Sequence, residues 1–137
     1  MDVLKIPFVN KVGLNKNSNG VLELPNEPEI QNHLQSIHAG AQFTLAETAS
    51  GELLQTLFPE LAENVIPVLR DAQIKFKYPA QKTITAHPSI PEEKSIEFKN
   101  QLLQKGRALI EVNVVVKDVE GVVTCSGVFN WFIQKIK

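Results

Sequence analysis

The chemistry this sequence could do centres on one carboxylate. From Ala39 to about Leu57 the residues repeat with helical period. On a wheel of ~100 degrees per residue Glu47 falls about 40 degrees from Phe43. That places it inside a small and apolar face made by Phe43, Ala46, Ser50, Leu53, Leu54 and Leu57, whereas Glu52 points the other way and reads as an ordinary solvent residue. Carboxylates are rarely buried without a partner, so Glu47 belongs either to a structural ion pair or to a cleft with a task. Upstream, Asn32, His33 and His38 precede Ala39-Gly40-Ala41 at the helix start. A glycine-containing helix N-terminus presents backbone N–H groups that can stabilise the oxyanion formed when an acyl carbonyl is attacked. A Glu on an apolar face should have its pKa raised by desolvation, which suits a base working near neutral pH.

Plainer readings stand beside these. His38 could simply be the residue that opens the helix, and Asn32 could merely order its loop. His33 and His87 have no companions at metal-ligand spacing, so no metal is assigned. Lys75, Lys77, Lys82 and Arg107 read as a solvated strand face. Trp131 and Phe129 suit a core or an interface better than a ligand pocket, and Cys125 reads as a small buried residue.

The elements that must position Glu47 are legible in outline. Asp2 to Lys11 suggests a short amphipathic helix bent near Pro7. Asn15 to Gly20 is a turn cluster, Val21 to Leu24 a short strand, and Pro25 to Gln35 a loop. The thin helix from Ala39 to Leu57 ends before Pro59, and its small residues let a sheet approach closely. Val65 to Tyr78 follows as a half-buried strand with Ile74, Phe76 and Tyr78 alternating, and Lys82 to Ala86 resumes extended structure. A second helix is expected at Glu92 to Gln104, opened by Pro91 and closed by Lys105-Gly106. In the last third, Ala108, Ile110, Val112, Val114 and Val116 share one strand face. Glu120-Gly121 makes a turn, and Val122 to Ile136 returns with Val123, Cys125, Phe129, Trp131 and Ile133 on one side. A helix packed on an antiparallel sheet is an α+β arrangement.

Composition sets the outer bounds. A chain of 137 residues suits one domain, residues 1–137, with the helix at about 92–104 as an insertion. Fourteen Lys and Arg against fifteen Asp and Glu leave a net charge of -1, which offers no field for nucleic acid or an anionic membrane. One cysteine excludes an intramolecular disulfide. No apolar run approaches the roughly 20 residues of a membrane span, and the first ten residues lack a signal-peptide core, so a cytoplasmic location is expected.

With these residues placed, a resemblance appears. The run Asn32-His33-Leu34-Gln35-Ser36-Ile37-His38-Ala39-Gly40-Ala41-Gln42-Phe43-Thr44-Leu45-Ala46-Glu47-Thr48 is similar to the signature of hotdog-fold acyl-CoA thioesterases of the phenylacetyl-CoA thioesterase type. That signature has an Asn, a His-Gly-Gly six positions on, and Leu-Ala-Asp or Leu-Ala-Glu nine positions after the His. Lys75 to Ala80 and the hairpin from Gly106 to the last strand also resemble the family, over roughly residues 12–137, and a DUF4442-type branch is the likeness suggested. The resemblance implies a hotdog fold: a long antiparallel sheet wrapped around the helix, two protomers joining their sheets, and sites at the subunit boundary. It implies Glu47 as base or nucleophile, Gly40 or Ala41 as the backbone donor, Asn32 as the group positioning water or thioester, and His38 as an orienting residue. The substrate implied is an acyl-CoA or acyl-carrier thioester, with CoA as part of the substrate and no separate cofactor. Lys77 and Arg107 then become candidates for the CoA phosphates. Homodimer or homotetramer is the implied assembly, and an open sheet edge is a physical reason to pair.

Two departures matter. Ala39-Gly40 replaces the glycine pair, and Gly51 stands where some relatives carry a Thr or Ser one turn after the carboxylate; Thr48 and Ser50 are near but not at that spacing. Two rivals remain: a non-catalytic acyl-CoA or lipid-binding hotdog protein, and a hotdog hydratase or dehydratase, whose pattern the His38 to Glu47 spacing matches poorly.

Overall fold

Apolar alternation builds the centre of the sheet. The computed structural model describes residues 1–59 and 63–136. Arg107–Asp118 and Val123–Lys135 form β5 and β6, an antiparallel hairpin turned at Val119-Glu120, one position earlier than the expected Glu120-Gly121, with Gly121 following at a φ of 83°. Ala108, Ile110, Val112, Val114 and Val116 are all buried on β5, facing Ile133, Trp131, Phe129 and Cys125 across the ladder. The reading of Cys125 as a small buried residue fits: burial pushes its thiol up to about 11. The remaining strands are β1 (Asn15–Lys16), β2 (Leu22–Leu24), β3 (Val65–Phe76) and β4 (Ile84–Ser89). They complete an antiparallel sheet of order β1-β2-β4-β5-β6-β3.

The long edge strand β3 departs from simple alternation. A bulge between Leu69 and Asp71 shifts its phase. Ile66 and Val68 therefore face outward and are exposed, while Ala72 and Ile74, of the same parity, are half-buried. Phe76 and Tyr78 were expected to share the covered face, but they are exposed. Alternation assigns a side of the pleat, and only tertiary packing decides whether that side is covered. Pro67 is tolerated because β3 pairs only with β6, so a missing N–H on an edge costs little.

Among the described residues, the helices α2 (Ala39–Leu57) and α3 (Glu92–Lys105) lie against this sheet, and α1 (Pro7–Val12) packs on α2. Helix α1 follows a 3-10 turn at Val3–Lys5, so the bend at Pro7 stands. Asn15-Lys16, expected within a turn cluster, adds a two-residue strand at the sheet margin, and the loop from Pro25 to Gln35 contains a 3-10 turn at Pro28–Ile30. Helix α3 ends at Gly106, whose φ of 74° is the left-handed cap that stops a helix cleanly.

Helix α2 contacts strands β2 to β6, and its burial differs from the one-sided face of the wheel. Leu45, Ala46, Ala49 and Ser50 are buried, as are Thr44 and Thr48, so the first half is enclosed nearly all round. Leu57 is exposed instead. Glu52 is not an ordinary solvent residue either: it is half-buried and ion-paired with Lys16 at 2.7 Å. A wheel ranks residues by angle from one neighbour, whereas α2 has neighbours on several sides.

Candidate active site

Along the incompletely covered side of α2 runs a cavity of about 440 Å³. From the helix come Phe43, Thr44, Glu47, Thr48, Gly51 and Leu54, which recur at helical spacing and so look in one direction. Opposite them stand Val3, Ile6, Phe8 and Val9 of the N-terminal segment. Phe98 of α3, Val65 and Pro67 of β3, and Trp131 and Ile133 of β6 complete the wall. Trp131 is thus both buried and a cavity residue, and α3 contributes through Phe98, which meets Phe58 with ring centroids 5.0 Å apart.

Glu47 is half-buried in this apolar wall. Desolvation raises its pKa from the ordinary 4.5, and no hydrogen bond or ion pair to its side chain is present among the described contacts. That leaves the carboxylate available to a proton. Beside it, Thr48 is buried at 4% exposure and its hydroxyl has no hydrogen-bond partner. An unpaired buried hydroxyl is costly, and it is the kind of group a bound water or ligand would satisfy. Its signal in the sequence was weak, because a single Thr beside a Glu on a helix has many structural uses.

Gly51 explains why no hydroxyl stands one turn beyond Glu47. A Cβ there would lie 3.2 Å from the Trp131 ring, so the absent side chain makes room for the indole. The indole N–H donates to Ser50 Oγ at 2.8 Å, and Ser50 in turn donates to the Glu47 carbonyl at 2.6 Å. Trp131 is thereby tied to the helical turn that carries Glu47.

His38, Gly40, Ala41 and Asn32 gather at the mouth of α2, outside the cavity lining. His38 is the N-cap: its Nδ1 accepts from the Gly40 N–H at 2.8 Å, which requires an unprotonated Nδ1. Its carbonyl accepts from the N–H groups of Ala41 and Gln42. The donors of Gly40 and Ala41 are therefore both paired. Asn32 Oδ1 accepts from the N–H of Leu34 and Ser36 and from the Ser36 hydroxyl, ordering the loop before the helix. Arg107 is exposed and pairs with Gln134, next to cavity residue Ile133. Lys77 is also exposed but bonds to Thr124, ten positions further along β6, or ~33 Å. Within one chain the two cations cannot serve one phosphate group. Among the described residues no group of His, Cys, Asp and Glu gathers at metal-binding distance, and no helix is long and apolar enough to cross a membrane.

Comparison with known proteins follows the same outline. The model of a family described as a domain of unknown function, DUF4442, matches residues 6–133. A protein of unknown function from Pseudomonas aeruginosa, described as a probable thioesterase, superposes with a TM-score of 0.84 at 24% identity, over 98% of this chain and 91% of its own. A protein of unknown function from Chlorobaculum tepidum gives 0.84 at 21% identity, over 96% and 88%. A Bacillus halodurans protein solved with CoA gives 0.71 at 21%, over 93% and 75%. No curated protein matches the sequence. The shared architecture is the hotdog fold.

Proposed function

This chain belongs to the DUF4442 family, and from that premise we propose that it is a thioester hydrolase acting on acyl-CoA, with Glu47 as its base. The observation that carries the reading is a desolvated carboxylate, free of protein partners among the described contacts, in the wall of an apolar cavity. Likeness to a probable thioesterase and to a protein holding CoA supports the choice of reaction and carrier.

Glu47 takes a proton from water as the oxygen bonds to the thioester carbon. Thr48 holds that water from the other side. The carbonyl oxygen becomes an oxyanion; the C–S bond then breaks, and the leaving thiolate takes the proton from Glu47, giving a carboxylic acid and CoA. Direct attack by the carboxylate, through an anhydride that water then cleaves, uses the same residues. Gly40 stands seven residues before Glu47, or ~10 Å along the helix, so a thioester held at Glu47 would meet the N–H at this position only from the helix of a second protomer, after the His38 ring has swung off it. Asn32 holds the loop in which His38 moves, and Ala41 follows as an alternative donor.

The β3 edge supplies the assembly. Two β3 strands pairing antiparallel about their midpoints would bring Lys77 of one protomer toward Val65 and Pro67 of the other. Lys77 and Arg107 would then flank the same cavity mouth and bind the CoA phosphates, with a cytoplasmic homodimer or homotetramer as the working form. One observation favours a second reading, a non-catalytic acyl-CoA-binding protein: the expected oxyanion donors are already paired.

The test is free-thiol release from acyl-CoAs of short, long and aromatic acyl groups. Glu47→Gln is assayed beside the native protein after its fold is checked by circular dichroism. Loss of general-base catalysis predicts a rate lower by about 100- to 10,000-fold. Undiminished turnover in the variant would remove Glu47 from the mechanism, and no turnover on any acyl-CoA would leave the binding reading.

A further inference from the structure

The cavity also bears on what kind of acyl group is held. Its lining on α2 continues well beyond Glu47, through Leu54 to Phe58. Eleven residues of helix separate Glu47 from Phe58, or ~16 Å at 1.5 Å per residue. Over that length the walls are mostly apolar, with the Thr48 hydroxyl next to Glu47 and the Gln55 amide the polar side chains on the helix side. The tilted pair of Phe58 and Phe98 lines the part farthest from Glu47 along the helix. A short acyl group or a single aromatic ring would occupy only the part nearest Glu47 and leave the rest of an apolar channel unfilled. A polar acyl group would lose its hydration with few partners in return.

We infer that the cavity takes an unbranched aliphatic acyl chain, laid along α2 from Glu47 toward the Phe58–Phe98 pair beneath the N-terminal segment, inside a single protomer. The inference rests on the proposed reading of Glu47 as the site of the thioester. An all-trans chain advances roughly 1.3 Å per carbon, from a C–C bond of ~1.5 Å. The channel therefore suits about twelve carbons. Val3, Ile6 and Val9 cover the chain from above, so chain length is read by one subunit even though the CoA is bound near the β3 edge.

The sole tryptophan gives a readout that needs no turnover, since Trp131 lines the channel. Full-length Glu47→Gln protein is titrated with saturated acyl-CoAs from acetyl to octadecanoyl, below their micelle thresholds, while Trp131 fluorescence is followed. Free CoA and phenylacetyl-CoA serve as comparators. Affinity should rise with length, by at most about fourfold per buried methylene, and stop rising near twelve carbons. Leu54→Phe should move that optimum toward shorter chains, and Val65→Phe does the same test at the opposite wall should the first variant fold poorly. Affinity independent of length, tightest binding of phenylacetyl-CoA, or an optimum unmoved in both variants would overturn the inference. Length-dependent binding without hydrolysis by the native protein would uphold it and sink the hydrolase reading. Hydrolysis with no length preference would do the reverse.

Discussion

The β5–β6 hairpin and the cavity side of α2 use many of the same residue types, yet they are finished to different standards. In the hairpin, alternate residues of both strands are buried on one side, and main-chain groups pair along eleven registered positions from Arg107–Gln134 to Lys117–Val123. Along α2, a carboxylate is desolvated without a partner among the described contacts, a hydroxyl is buried without one, and a glycine sits where a larger residue would stabilise the helix. The first region has one such cost of its own, the buried Thr124 hydroxyl, which has no hydrogen-bond partner among the described residues. The second carries local costs together on one side of one helix, which is where a functional site stores them.

That contrast can be broken in order of size. Phe129 is fully buried on β6 and meets Phe43 with ring centroids 5.5 Å apart. Phe129→Ala should cost about 3–5 kcal/mol in urea unfolding; a loss of less than ~1 kcal/mol would show that the hairpin is not the stabilising region. Gly51→Thr, which restores the hydroxyl that some relatives carry, drives a side chain into Trp131. It should lose about 1–3 kcal/mol by overpacking, with a shift in Trp131 emission; an unshifted spectrum would mean that the indole does not depend on the glycine.

The opposite sign is expected for the polar groups of the cavity. Thr48→Val replaces a hydroxyl that has no partner, and should leave stability unchanged or raise it by about 1 kcal/mol, while slowing thioester hydrolysis. Glu47 has a higher pKa folded than unfolded, so the folded state binds its proton more tightly. Stability must then fall as pH climbs from the ordinary 4.5 toward the folded value, and stay lowered above it. Glu47→Gln should flatten that decline in melting curves recorded upward from the ordinary carboxylate range of about pH 4. A variant less stable than the native protein at pH 8 would instead place Glu47 in a structural role.

Much of this was legible in the residues. The period of Ala39 to Leu57 marked α2 to both ends, and Val-rich alternation marked β5 and its return strand, because these are local repeats. The Asn32, His38 and Glu47 spacings pointed to the family that the match over residues 6–133 assigns. What went astray had non-local causes. The phase of β3 changes at a bulge, which no alternation rule foresees, and Glu52 found Lys16 from a strand far away in sequence.

The sequence by itself determined the elements, the position of a carboxylate on a thin helix, and the polar cluster before it, since each depends on neighbours within a few residues. Only the tertiary structure decided which flank of that helix stays uncovered. It brought Phe98, Val65 and the N-terminal segment around Glu47, set Trp131 against Gly51, and left Thr48 buried without a partner. Those outcomes depend on how separate elements pack, and a cavity is a property of the space between them.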